Sequence, residues 1–182
     1  DGKAPTTGDG VWIANSIITD NGVLTADSGS AMLRFDPVTN KIYTVSIDFN
    51  YSSGSGGWFG LGFSSVSPWV PGTSTTADRF SNINVPGFAW MICNGTNITG
   101  AWEGPKAANA IPYSSPPLGA GPHTLKIVLD TTGNGSSFTA DFFIDGTSVT
   151  SGPKIVDATT VENINYVGFT QYGGGKLTGS TV

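Results

Sequence analysis

HTLKIVLDTTGNGSSFTADFFIDGTSVT, residues 123–150, holds two alternating runs joined by a turn and followed by a second, tighter turn. In the first run Leu125, Ile127 and Leu129 share one face, and Thr124, Lys126 and Asp130 share the other. In the second, Phe138, Ala140, Phe142 and Ile144 oppose Thr139, Asp141 and Asp145. A period of two is the pattern of a half-buried strand, because successive side chains point to opposite faces. The connection Thr131-Thr132-Gly133-Asn134-Gly135-Ser136 is rich in residues that tolerate a positive φ. Asp145-Gly146 is a hairpin signal in its own right. The stretch therefore reads as an antiparallel meander with one oily face and one wet face, and the rest of the chain must cover the oily one.

Strand patterns recur outward from it. Lys41–Phe49 alternates, with Tyr43, Val45, Ile47 and Phe49 on one side. Trp58–Phe63 alternates Phe59, Leu61 and Phe63 with Gly60 and Gly62. Glycines along one face of a strand imply close approach by a backbone, an aromatic ring or a ligand. Phe88–Cys93 is continuously apolar, Ile98–Trp102 returns beside it, and Asn165–Tyr172 places Val167 and Phe169 inward. Shorter strands are expected at Val11–Ala14, Val23–Ala26 and Ala31–Phe35, with Asp27-Ser28-Gly29-Ser30 as a break, and a last one begins at Leu177. Residues 64–86, 103–121 and 151–162 read as connections. About ten short strands with turn signals between them make an all-β sandwich or barrel.

Composition narrows the function. The chain has 182 residues, enough for one domain with a substantial core. Charged residues are only 12%, and 26 glycines and 11 prolines are spread throughout, which does not suit helices. The net charge is −5, so nucleic acid is a poor partner, and no apolar run reaches membrane-spanning length. The abrupt start at Asp1 is expected to mark a mature or excised segment, a monomer within a multi-domain parent. The single Cys93 lies in an apolar run, so it reads as a buried inert thiol. The low-charge, Thr/Ser/Gly/Asn-rich, acidic composition resembles that of secreted bacterial β-proteins, so an extracellular location is expected.

The series Tyr43–Phe49, Gly57-Trp58-Phe59-Gly60-Leu61-Gly62-Phe63, Ala89–Ile92, His123–Asp130 with Phe142-Phe143-Ile144-Asp145-Gly146, and Val167-Gly168-Phe169 resembles the strands of concanavalin A-like, or laminin G-like, jelly-roll domains. The resemblance covers roughly residues 20–182. It implies a two-sheet antiparallel β-sandwich, and it implies glycan binding, glycoside hydrolysis, polysaccharide lysis or a structural role. Such domains close with a further strand after the final Gly-rich turn, so the end at Val182 is expected to mean either a segment cut from a longer protein or a missing end.

The chemistry sorts these. A glycosidase needs two carboxyls about 5–10 Å apart across a cleft. The only glutamates are Glu103 and Glu162; both fall in expected connections, and the Glu-x-Asp-x-x-Glu strand of jelly-roll glucanases is absent. A nucleophilic triad would need His123, which reads instead as a turn or strand-edge residue. With one His and one Cys a metal cluster of that type is excluded. No cofactor is required, and the loop acids Asp9, Asp20, Asp27 and Asp78 are the candidates for a structural calcium. Sugars offer flat C–H faces rimmed by hydroxyls, which exposed rings and polar side chains can bind. Phe49, Phe59, Phe63, Phe138, Phe142 and Phe169 belong to the core by phase, and Trp90 with them. Trp69, in a Pro-flanked loop, and Trp102, at a loop edge, are the stacking candidates. Asp78 and Arg79 are hydroxyl partners, and Tyr166, Gln171 and Tyr172 form a second group. The expected function is a non-catalytic carbohydrate-binding module for a polysaccharide. A glycoside hydrolase or polysaccharide lyase using Glu103 or Glu162, and a structural or adhesive surface domain, are the alternatives.

Overall fold

Eleven strands run through the described residues: β1 (Trp12–Ala14), β2 (Ser28–Arg34), β3 (Ile42–Tyr51), β4 (Trp58–Ser64), β5 (Gly87–Cys93), β6 (Ile98–Glu103), β7 (Gly121–Asp130), β8 (Ser137–Ile144), β9 (Thr147–Ser148), β10 (Lys154–Asp157) and β11 (Tyr166–Tyr172). The computed structural model describes residues 12–14, 28–34, 36–51, 58–64, 87–93, 98–103, 118–133, 137–157 and 164–172. The strands at 23–26 and 177–182 expected from the sequence lie outside them.

The meander forms as its pattern requires. Leu125, Ile127 and Leu129 of β7 are buried, as are Phe138, Ala140, Phe142 and Ile144 of β8. The two strands pair antiparallel, with Leu125 opposite Ile144 and Leu129 opposite Ala140. Asp145 and Gly146 have φ of 50° and 79°. Positive φ at both central residues is the type I′ geometry, whose twist matches the flanking strands. β3 lies against the other edge of β7, from Ile42 opposite Asp130 to Tyr51 opposite Gly121. Thr131, beyond the end of β7, is fully buried. Its hydroxyl donates to the Lys41 carbonyl at 2.8 Å and accepts from the Lys41 N–H at 2.9 Å, which stitches the turn before β3 to this corner.

Two antiparallel sheets result. One has the order β1-β2-β11-β4-β5-β6; the other runs β10-β8-β7-β3, with β9 also on β8. Their facing sides make one core. The six-stranded sheet contributes Ala31, Phe59, Leu61, Phe63, Met91 and Phe169. The other sheet contributes the buried phase of β7 and β8, with Val45, Ile47 and Phe49 of β3. Each large side chain buried here contributes roughly 1.5–3 kcal/mol by leaving water. The six core phenylalanines expected from phase are all buried, and so is Trp90.

The structure departs from the sequence reading most clearly at Ser28–Ser30, residues 154–157 and Glu103. Ser28-Gly29-Ser30, expected as a break, belongs to β2 and pairs with Tyr172, Gln171 and Thr170 of β11. Cross-strand pairing here overrides the turn preference of these residues. Residues 154–157, expected within a connection, form β10 against β8, with Val156 opposite Phe138. Gly152-Pro153 in front of it reads as a loop signal, and Val156 is the residue of this strand that enters the core. Glu103, expected in a connection, ends β6 opposite Phe88.

Candidate functional site

The six-stranded sheet turns one side away from the main core. β11 lies in the middle of this sheet, between β2 and β4. Register places Met32, Gly168, Gly62 and Trp90 in one row across four strands. The row alternates bulk with space. A Cβ on Gly62 would lie 2.6 Å from the Trp90 Cβ and 2.9 Å from the Ala89 carbonyl oxygen. The close approach implied by the strand glycines is therefore made by Trp90 of the adjacent strand. Between Gly62 and Phe63 the register slips, leaving Ala89 as the extra residue of a bulge with φ of 47°. Met32, Trp90 and Ile92 form a second buried cluster, and Tyr166 packs half-buried against it. The centre of this face is packed, not open.

Of the candidates expected from sequence, those among the described residues lie on two strands of this sheet. Tyr166, Gln171 and Tyr172 share β11; Gln171 pairs with Phe59, and Tyr172 with Trp58. Trp102 and Glu103 are in β6, separated from β11 by β4 and β5. That is three strand spacings, about 14 Å. Trp69, Asp78, Arg79 and Glu162, with the loop acids Asp9, Asp20 and Asp27, lie outside the described residues. Among the described residues no group of three or more His, Cys, Asp or Glu is placed to hold a metal ion.

The outer face of the five-stranded sheet is different. It carries Thr44, Ser46 and Asp48 from β3, Thr124, Lys126 and Val128 from β7, and Asp141 and Phe143 from β8, all exposed or half-buried. Ser46, Lys126, Phe143 and Ser148 form one row. The Lys126 ammonium sits 4.3 Å from the centre of the Phe143 ring, a cation–π contact. Asp48 accepts the Thr124 hydroxyl at 2.6 Å, and Asp141 accepts the Ser148 hydroxyl at 2.8 Å. An aromatic ring thus stands among hydroxyls, carboxylates and one ammonium, the groups that suit a ligand with a C–H face and a hydroxyl rim. Phe143 has a signal in the sequence that the alternation of β8 hides: it is an aromatic in the wet phase of that strand.

A third feature sits at the start of β7. His123 Nδ1 lies 2.8 Å from Asp145 Oδ2, and Nε2 lies 2.8 Å from the Gly119 carbonyl oxygen. The second carboxylate oxygen of Asp145 accepts the Thr124 N–H at 2.8 Å. Burial pulls the imidazole pKa down, but the hydrogen bonds to Asp145 and Gly119 and the Asp145 charge outweigh it, so it lies above its ordinary value. Burial raises the Asp145 carboxyl, yet His123 and the Thr124 N–H bring it below the usual carboxylate value. Cys93 is fully buried, and burial followed by the Asp145 charge pushes its thiol far up. With both ring nitrogens engaged, His123 has none left to activate a nucleophile in this arrangement.

The sequence matches no family model and no curated protein. Solved structures do resemble it. The carbohydrate recognition domain of Emp46p in its potassium-bound form has a TM-score of 0.53 at 10% identity, over 91% of this chain and 82% of that one. Its metal-free form gives 0.53 at 10%, over 93% and 84%. A Bacillus subtilis protein of unknown function with a galectin-like fold gives 0.52 at 15% identity, over 93% and 86%. The chain is thus an all-β, two-sheet antiparallel sandwich, similar in fold to the Emp46p carbohydrate recognition domain and to the galectin-like fold.

Proposed function

We propose that this is a secreted, non-catalytic domain that binds a polysaccharide, and that the outer face of β3, β7 and β8 takes part in binding. The observation that carries the reading is Phe143, a half-buried ring on a polar face, in one row with Ser46, Lys126 and Ser148. Stacking of a sugar C–H face on the ring supplies the apolar part. Thr44, Ser46, Asp48 and Lys126 supply the hydroxyl partners. The likeness of fold to a carbohydrate recognition domain supports the same reading. The non-catalytic part rests on the carboxylates of this face: Asp48 and Asp141 both accept hydroxyls of their own sheet, as structural acceptors do. The low charge and the abundance of Gly, with the Thr- and Ser-rich surface, support secretion.

Affinity electrophoresis against a panel of soluble plant and algal polysaccharides, with reducing-end release assayed in parallel, tests this. Retardation without release is expected, and it should survive a chelator. Phe143→Ala should weaken it by about 1 kcal/mol, roughly fivefold in Kd. Trp69→Ala and Trp102→Ala test the loop and β6 aromatics alongside. Release of reducing ends would refute the non-catalytic reading, and an unaltered affinity in Phe143→Ala would remove this face from the site.

A further inference from the structure

His123 is the only histidine of the chain, and the two atoms that face its ring nitrogens both accept hydrogen bonds. A carboxylate oxygen and a backbone carbonyl oxygen have no proton to give. A neutral imidazole has one N–H, so it would aim a lone pair at one of these oxygens across 2.8 Å. Only the imidazolium satisfies both. We propose that His123 is a proton-operated latch: protonated, it ties Gly119 to the Asp145-Gly146 hairpin tip, and on losing its proton it keeps Asp145 and releases Gly119. Asp145 is the partner retained because a hydrogen bond to a carboxylate is stronger than one to a neutral carbonyl. Asp145 is also held by the Thr124 N–H, and its own N–H donates to the Thr124 carbonyl at 2.9 Å.

The surroundings favour the charged ring. From β3, Phe49 places its ring centre 5.8 Å from that of His123. Its neighbour Asp48 points to the other face of the sheet, where it accepts the Thr124 hydroxyl. From the hairpin comes Asp145, and from the segment before β7 comes the Gly119 carbonyl. The charged group that faces the ring is the Asp145 carboxylate. The raised pKa of His123 agrees with this arrangement. Because the folded value lies above the unfolded one, the stabilisation is complete below about 6.5 and is lost as pH rises through the folded value.

The test is an NMR pH titration of the whole chain. One histidine gives one imidazole signal, so its midpoint needs no assignment by mutation. The midpoint is expected above about 6.5, and the Gly119 carbonyl-carbon shift should move with the same midpoint as its hydrogen bond is lost. In Asp145→Asn, which retains a residue suited to the type I′ turn, the histidine midpoint should fall by at least about half a pH unit, the scale on which a neighbouring charge acts. A wild-type midpoint at or below the ordinary value, a Gly119 carbonyl shift that stays flat, or an unchanged midpoint in Asp145→Asn would each overturn the latch.

Discussion

Replacing Gly168 with alanine tests how the six-stranded sheet is packed. A Cβ at this position would overlap the Ala31 carbonyl oxygen, and it would lie 2.6 Å from Met32 Sδ and 2.8 Å from Met32 Cα. Two of these three obstacles are backbone atoms of β2, the strand to which β11 is paired along its whole length. They cannot swing aside as a side chain can. The cost should therefore reach the top of the range for overpacking, about 3 kcal/mol. Against a total stability of about 5–15 kcal/mol, that is a large loss. With a urea m-value of about 2 kcal/mol per molar, the unfolding midpoint should fall by about 1.5 M, read by circular dichroism. Gly119→Ala is the control, because a Cβ there meets nothing within 4 Å; it should change stability by less than about 1 kcal/mol. Adding Met32→Ala to Gly168→Ala should restore little, since the Ala31 oxygen and Met32 Cα remain. A Gly168→Ala protein within about 0.5 kcal/mol of the parent, the scatter of a surface change, or full rescue by Met32→Ala, would refute the reasoning.

Two further predictions concern buried groups. Thr131→Val keeps the shape but removes the hydroxyl that accepts the Lys41 N–H, and equilibrium unfolding should show a loss of about 1–3 kcal/mol. Cys93 is buried and its thiol is held protonated, so a thiol reagent such as DTNB should react with the chain only after denaturant is added; prompt reaction of the native protein would show that β5 opens readily.

Local pattern is enough to specify the meander. The alternation of β7 and β8 and the Asp145-Gly146 turn depend on neighbours in sequence, and the structure contains each of them. What is not legible depends on partners brought from far along the chain. Gly168 has to be glycine because of Ala31 and Met32, and nothing near it in sequence says so. Ser28–Ser30 look like a turn until β11 is laid beside them. The surroundings of Tyr166 are set by Met32 and Trp90, which come from two other strands. At the candidate site the reverse holds: Phe143 is visible as an aromatic out of phase, but in the doublet Phe142-Phe143 the core member dominates the pattern. The latch is half visible, since the Asp145 turn is plain while the pairing of His123 with it requires the register of β7 and β8.

The position of β11 has a consequence for synthesis. Val167 pairs with Leu33 on one side and with Phe63 on the other. While the chain emerges from the ribosome, β1–β2 and β4–β5–β6 are two separate pieces that share no strand. The sheet can close only when residues 166–172 have been made, so the greater part of the chain must wait, with unpaired edges on β2 and β4, for its central strand. Such non-local pairing slows folding and lengthens exposure to mispairing. A ribosome stalled before residue 166 should therefore hold a nascent chain that remains open to protease across β2 and β4, whereas the β7–β8 hairpin, local in sequence, is free to form first.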